Sequence, residues 1–180
     1  MKSLPTFLIV VFLQFCFFTV NAQTMINQSI ENRLRAIEDR IVIKAVVDEF
    51  SNLADTKELD KQVMLFTEDG IVETISKGQP PIVLKGREQM KQAFSGFLSN
   101  FHTVYHQNGQ QTIQVDDEKA EAVSYCRVIL IGKQAEKETK TTLYVIYKDS
   151  FVKIDGKWLI KHRISNFIYR EADGINKITN

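Results

Sequence analysis

Cysteine is nearly absent from this chain: Cys16 and Cys126 are the only two in 180 residues. One lies in an N-terminal apolar run and the other far downstream. Once that run is removed, neither an intramolecular disulfide nor a cysteine-based zinc site can be built. A lone Cys126 in an apolar stretch reads as a small buried core residue. Proline and glycine are also scarce, with 3 and 8 respectively, and the chain holds no low-complexity linker and no internal repeat. It has no Gly-rich phosphate loop, nucleophile elbow or dinucleotide fingerprint, which excludes the commonest nucleotide-dependent and serine-hydrolase frameworks. An excess of one charge is missing too. The 23 basic and 22 acidic side chains give no electrostatic case for nucleic acid or an anionic membrane surface as partner.

Long hydrophobic runs are absent except at the N-terminus. Lys2 precedes a mostly apolar stretch from Leu4 to Val20, and Val20-Asn21-Ala22 then places small residues at the positions a signal peptidase reads before Gln23. This is the pattern of a secretory leader. Gln14, Thr19 and Asn21 interrupt or end the run, which argues against a permanent span. The expectation is a leader over residues 1–22, a periplasmic or secreted protein with no membrane span after cleavage, and a single domain over 23–180. Removing Lys2 with the leader leaves basic and acidic side chains equal at 22.

What remains is periodic. Ile30, Leu34, Ile37, Ile41, Ala45, Val46, Phe50 and Leu53 recur at steps of three and four, predicting a long helix from Ser29, its N-cap, to Ala54. A short second helix carrying Val63, Met64 and Phe66 follows. Glu68-Asp69-Gly70 then turns the chain into a strand around Ile71 to Ile75, with a scrap of strand at Ile82–Leu84 and a third helix from Gly86. From Phe101 the period changes to two. Four long strands are predicted, at about 103–115, 120–132, 141–154 and 157–169, with Asp155-Gly156 as a two-residue hairpin turn. Helices first and long antiparallel strands after indicate an α+β fold whose sheet must bend strongly.

If Asp155-Gly156 is that turn, Ile154 pairs with Lys157 and side-chain parity follows. One face then collects Leu143, Val145, Tyr147, Asp149 and Phe151 with Ile160, His162, Ile164, Asn166 and Ile168. The other collects Tyr144, Ile146 and Lys148 with Lys161, Arg163, Ser165, Phe167 and Tyr169. The first is more apolar and is expected to face the helices, with Asp149 opposite His162. Its polar members need partners or a wet cavity, which makes Tyr147, His162 and Asn166, with Tyr125, the expected ligand contacts. His102 and His106 lie about 13 Å apart along an extended strand, at about 3.3 Å per residue, too far for one metal ion. Proton transfer is the better use of such a histidine, whose ordinary pKa is about 6.5.

Several segments, taken in order, resemble one family. They are Leu53-Ala54-Asp55 closing the first helix, Met64-Leu65-Phe66-Thr67-Glu68-Asp69-Gly70, Lys85-Gly86-Arg87-Glu88, Tyr105-His106-Gln107-Asn108, the turn from Asp116 to Ala122, Tyr147-Lys148-Asp149, and Gly156-Lys157-Trp158-Leu159-Ile160 with Arg163. This order resembles the SnoaL-like branch of the superfamily that also holds nuclear transport factor 2, ketosteroid isomerase and scytalone dehydratase. The resemblance implies a cone-shaped α+β barrel with three helices, a strongly curved, mainly antiparallel sheet around a long N-terminal helix, an apolar pocket and a homodimer. It also implies that Asp55 and His106 meet as a proton-transfer pair, as in dehydratase members, without cofactor or metal. Two departures weaken any transfer of substrate: Ile129, Leu130 and Ile131 stand where scytalone dehydratase has a further histidine, and Ala54 stands where it has a tyrosine. The expected function is a cofactor-free lyase or isomerase acting on a small hydrophobic carbonyl compound. The alternatives are a noncatalytic binder of an apolar ligand and a dimerisation or scaffold module.

Overall fold

The computed structural model describes the backbone of residues 4–134 and 137–174 and the side chains of 25–133 and 137–172. The side chains of the expected leader, residues 1–22, lie outside that description. The chain divides into two compact units, Met1–Asp39 and Arg40–Asn180. A helix, α1 (Leu4–Thr56), begins in the first and ends in the second. It passes through Ser29 without the expected cap, because residues 6–56 contain neither proline nor glycine and nothing interrupts the hydrogen-bond ladder. In the first unit Ile26, Ile30, Leu34 and Ile37 are exposed. No helix among the described residues is long and apolar enough to cross a membrane.

Within the second unit the last turns of α1 bury Ile43, Val47, Phe50, Ser51 and Ala54. The buried stripe is rotated from the expected one: Ile41 is exposed and Ile43 fully buried. Ile41-Val42-Ile43 is a continuous apolar run, so spacing alone could not choose between its members. The remaining elements are α2 (Leu59–Val63), β1 (Phe66–Ser76), β2 (Ile82–Lys85), α3 (Gly86–Leu98), β3 (Thr103–Asp116), β4 (Lys119–Gln134), β5 (Lys137–Ile154) and β6 (Lys157–Gly174). Phe66 opens β1, and Glu68-Asp69-Gly70 sits inside that strand as an irregular stretch between the pairs Phe66↔Ile160 and Ile71↔His162. The charged segment expected as a separator around residues 133–140 is mostly strand.

The six strands form one open sheet in the order β2-β1-β6-β5-β4-β3. Neighbours are antiparallel except for β1 and β6, which run parallel. The fold is α+β with a curved, cone-like sheet and three helices, as expected, but β2 and β3 are free edges and the barrel does not close. Asp155 and Gly156 both have positive φ, at 49° and 76°, the left-handed turn that suits a two-residue hairpin.

That hairpin holds the expected register only from Ile154↔Lys157 to Phe151↔Ile160; the next pair is Ser150↔His162. Lys161 is the extra residue of a bulge, and one extra residue exchanges the faces of everything beyond it. Arg163, Ser165 and Phe167 therefore turn inward, while His162 and Asn166 turn outward. This overturns the expected faces: the partner of Asp149 is Arg163, not His162.

Candidate functional site

The inner face of the sheet, α1, α2 and α3 enclose a cavity of about 720 Å³. This lies within the usual range for small-molecule sites. Its wall is mainly apolar, drawn from Phe50, Ala54, Val72, Leu98, Val128 and Phe167 among others, and its inner polar groups are Gln62, His106, Tyr147 and Arg163.

Asp55 is fixed by the way α1 ends. Lys57 adopts φ 58°, and its N–H donates to Ala54 O at 3.2 Å while that of Glu58 donates to Leu53 O at 2.9 Å. This paired arrangement closes a helix without using a side chain. Asp55 is left free in the last turn, where the helix dipole disfavours a carboxylate. Its partners come from β3 instead. His106 donates its backbone N–H to both carboxylate oxygens at 3.0 and 3.1 Å, and Nδ1 lies 2.6 Å from Oδ1. A carboxylate can only accept, so Nδ1 is the donor and Nε2 keeps its lone pair. The imidazole lines the cavity, and its side chain is only 7% exposed.

A second link holds helix and strand in this relation. Asn108 Nδ2 donates to Asp48 Oδ1 at 3.0 Å, and Ser51 Oγ donates to Asn108 Oδ1 at 3.1 Å. Deeper in the same face, Arg163 donates from Nε and Nη2 to the two oxygens of Asp149, each at 2.7 Å, and both residues are fully buried. The guanidinium lies 4.1 Å from the ring centre of Phe50 and 4.4 Å from that of Tyr147. Burial pulls its pKa down, but the adjacent Asp149 charge and its hydrogen bonds prevail and hold it above the ordinary value. Two buried polar atoms of the cavity lining have no hydrogen-bond partner: Arg163 Nη1, a donor, and Gln62 Oε1, an acceptor. The other end of the Gln62 amide donates to Phe50 O at 2.9 Å.

Of the residues predicted from sequence, Asp55 and His106 come together, and Tyr147 lines the cavity. Tyr125, His162 and Asn166 do not line it. Tyr125 is exposed on the outer face of β4. The bulge at Lys161 turns His162 and Asn166 outward, where His162 Nε2 lies 3.5 Å from Glu73. His102 lies 2.8 Å from Glu138, away from the cavity. Cys126 faces inward and is buried, and burial pushes its thiol up to about 11, so it is no nucleophile at neutral pH. Sequence reading missed Arg163 and Gln62. For Arg163 the signal was an arginine in an apolar strand two residues from the residue expected to face Asp149's neighbours. Gln62 carried no signal beyond following Leu59 by three helical positions.

Comparison with known proteins places this geometry in a family. No curated protein sequence matches the chain significantly. Among solved structures, a proposed scytalone dehydratase from Novosphingobium aromaticivorans DSM 12444 superposes with a TM-score of 0.66 at 22% identity, over 81% of this chain and 96% of that one. The type 2 hexachlorocyclohexane dehydrochlorinase LinA gives 0.65 at 14% identity, over 81% and 94%. A cystatin-like-fold protein of unknown function from Nostoc punctiforme PCC 73102 gives 0.60 at 23%, over 72% and 90%. At these identities the likeness is one of fold. The family model described as a SnoaL-like domain matches residues 35–164, the span that holds Asp55, His106 and Arg163, and the chain belongs to the SnoaL-like family.

Proposed function

We propose that the protein is a cofactor-free lyase or isomerase in which Asp55 and His106 carry out acid–base chemistry on a small hydrophobic carbonyl compound. The observation that carries this reading is the 2.6 Å contact between His106 Nδ1 and Asp55, made by an imidazole that lines the cavity. Asp55 fixes the tautomer and raises the basicity of the ring, so Nε2 removes a proton α to the carbonyl. The electrons move onto the carbonyl oxygen, where the unpaired donor Arg163 Nη1 stabilises the charge. In a dehydration the β-hydroxyl then leaves with the proton His106 has taken; in an isomerisation the proton returns to another carbon. Both named neighbours, a dehydratase and a dehydrochlorinase, have names that describe eliminations.

The test is a panel of apolar β-hydroxy ketones and acids, followed by the absorbance of the conjugated product. Turnover by the wild type is expected, with His106→Ala slower by on the order of 10² to 10⁴. Equal rates in both proteins would refute the role of His106. Binding without turnover across the panel would leave a ligand carrier as the function. Export and homodimerisation complete the proposal, supported by the leader pattern at residues 1–22 and by exposed Tyr105 and Tyr125 on the outer sheet face.

A further inference from the structure

The charges that line the cavity are of one sign. Among the described residues, the charged groups of its lining are Lys77, Arg163 and Arg170, with His106 as a titratable fourth and no carboxylate. Arg163 is neutralised by Asp149 inside the protein. Lys77 and Arg170 differ from it in two ways: both are exposed, and neither makes an ion pair or side-chain hydrogen bond among the described residues. The topology puts them together. β1 and β6 run parallel with Ser76 opposite Phe167, so the turn that follows β1 emerges beside the last residues of β6 at the same end of the sheet. Two unpaired cations thus flank the way into a cavity whose wall is otherwise mostly apolar.

We infer that the occupant of this cavity is an amphipathic carboxylic acid, seated with its carboxylate at the mouth between Lys77 and Arg170 and its apolar body inside. The opposite orientation is disfavoured by the interior itself. The only donor free there is Arg163 Nη1, on a guanidinium already matched by Asp149, and a carboxylate brought against it would add an uncompensated negative charge to a buried site. The inner end, with one free donor on Arg163 and one free acceptor on Gln62, suits an uncharged oxygen that both accepts and donates, such as a hydroxyl. The inference rests on reading the cavity as a ligand site and deepens the proposed function by naming a substrate class. It does not depend on the chemistry of Asp55 and His106.

The test uses the full chain and a fluorescent probe, 11-(dansylamino)undecanoic acid, against its methyl ester. Each exposed ion pair contributes roughly two- to fivefold, so the acid is expected to bind about 4- to 25-fold more tightly than the ester at low salt. The preference should shrink in high salt as the exposed charges are screened. Lys77→Glu/Arg170→Glu should abolish it while leaving ester affinity and the melting temperature unchanged. A Lys77→Gln/Arg170→Gln protein gives the same reading should the charge-reversed one fold poorly. Equal binding of acid and ester, a preference that survives both double variants, or no binding of either probe would overturn the inference. Because binding is read and not turnover, its failure is distinct from a failure of the acid–base reading.

Discussion

Replacing Asp149 by alanine should be among the most destabilising single changes in the protein, and the structure sets its size. Asp149 and Arg163 are both fully buried and joined by two 2.7 Å hydrogen bonds. Removing the carboxylate leaves a guanidinium stacked between Phe50 and Tyr147 with no counter-charge and no water. Breaking a buried pair in this way costs about 3–5 kcal/mol, which for a domain of this size lowers the melting temperature by about 6–20 °C. Arg163→Met should cost a similar amount, since it strands the carboxylate. The double variant Asp149→Leu/Arg163→Met, with neither charge and much the same volume, should recover most of the loss, because an apolar replacement of a buried pair is often neutral. Urea unfolding followed by Trp158, the sole tryptophan and a buried one, measures all four proteins in one assay. Single variants that lose less than about 1 kcal/mol, or a double variant as unstable as the sum of the two, would refute this account of the pair.

Gly132→Ala should fold poorly: a Cβ there would overlap the Asn100 carbonyl oxygen and sit 3.1 Å from Phe101 Cδ1, and overpacking against backbone costs about 1–3 kcal/mol or more, readable in the same unfolding assay. Sedimentation of the native protein is expected to give twice the mature mass, and Tyr105→Lys/Tyr125→Lys should shift it toward the monomer; a monomeric wild type at micromolar concentration would remove the dimer. Intact mass of protein purified from its own host is expected to start at Gln23, and a retained Met1 on the soluble protein would remove export.

The fold was largely legible because its signals are local. Asp155-Gly156 announced the last hairpin through residues that tolerate positive φ, and the switch from helical to alternating period after Phe101 separated the two halves of the α+β order. Asp55 and His106, 51 positions apart, were linked only by family resemblance, since no spacing rule connects a helix end to a strand. The bulge at Lys161 was invisible. Nothing in Ile160-Lys161-His162-Arg163 marks an extra residue, and a single unpaired position was enough to exchange His162 and Asn166 for Arg163, Ser165 and Phe167 on the cavity face. Ile41 and Ile43 were confused for a related reason, because a continuous apolar run holds no phase.

The central claim is that Asp55 holds the His106 proton on Nδ1 and leaves Nε2 as the base that faces the cavity. Long-range ¹H–¹⁵N correlation on uniformly ¹⁵N-labelled protein reads this directly, with the His106 signals identified by their loss in His106→Ala. At neutral pH the account predicts a protonated Nδ1 and an unprotonated Nε2, and in Asp55→Asn a lower ring pKa, because the carboxylate that favours imidazolium is gone. A proton on Nε2 in the wild type, or a His106 titration that Asp55→Asn leaves unmoved, would contradict it.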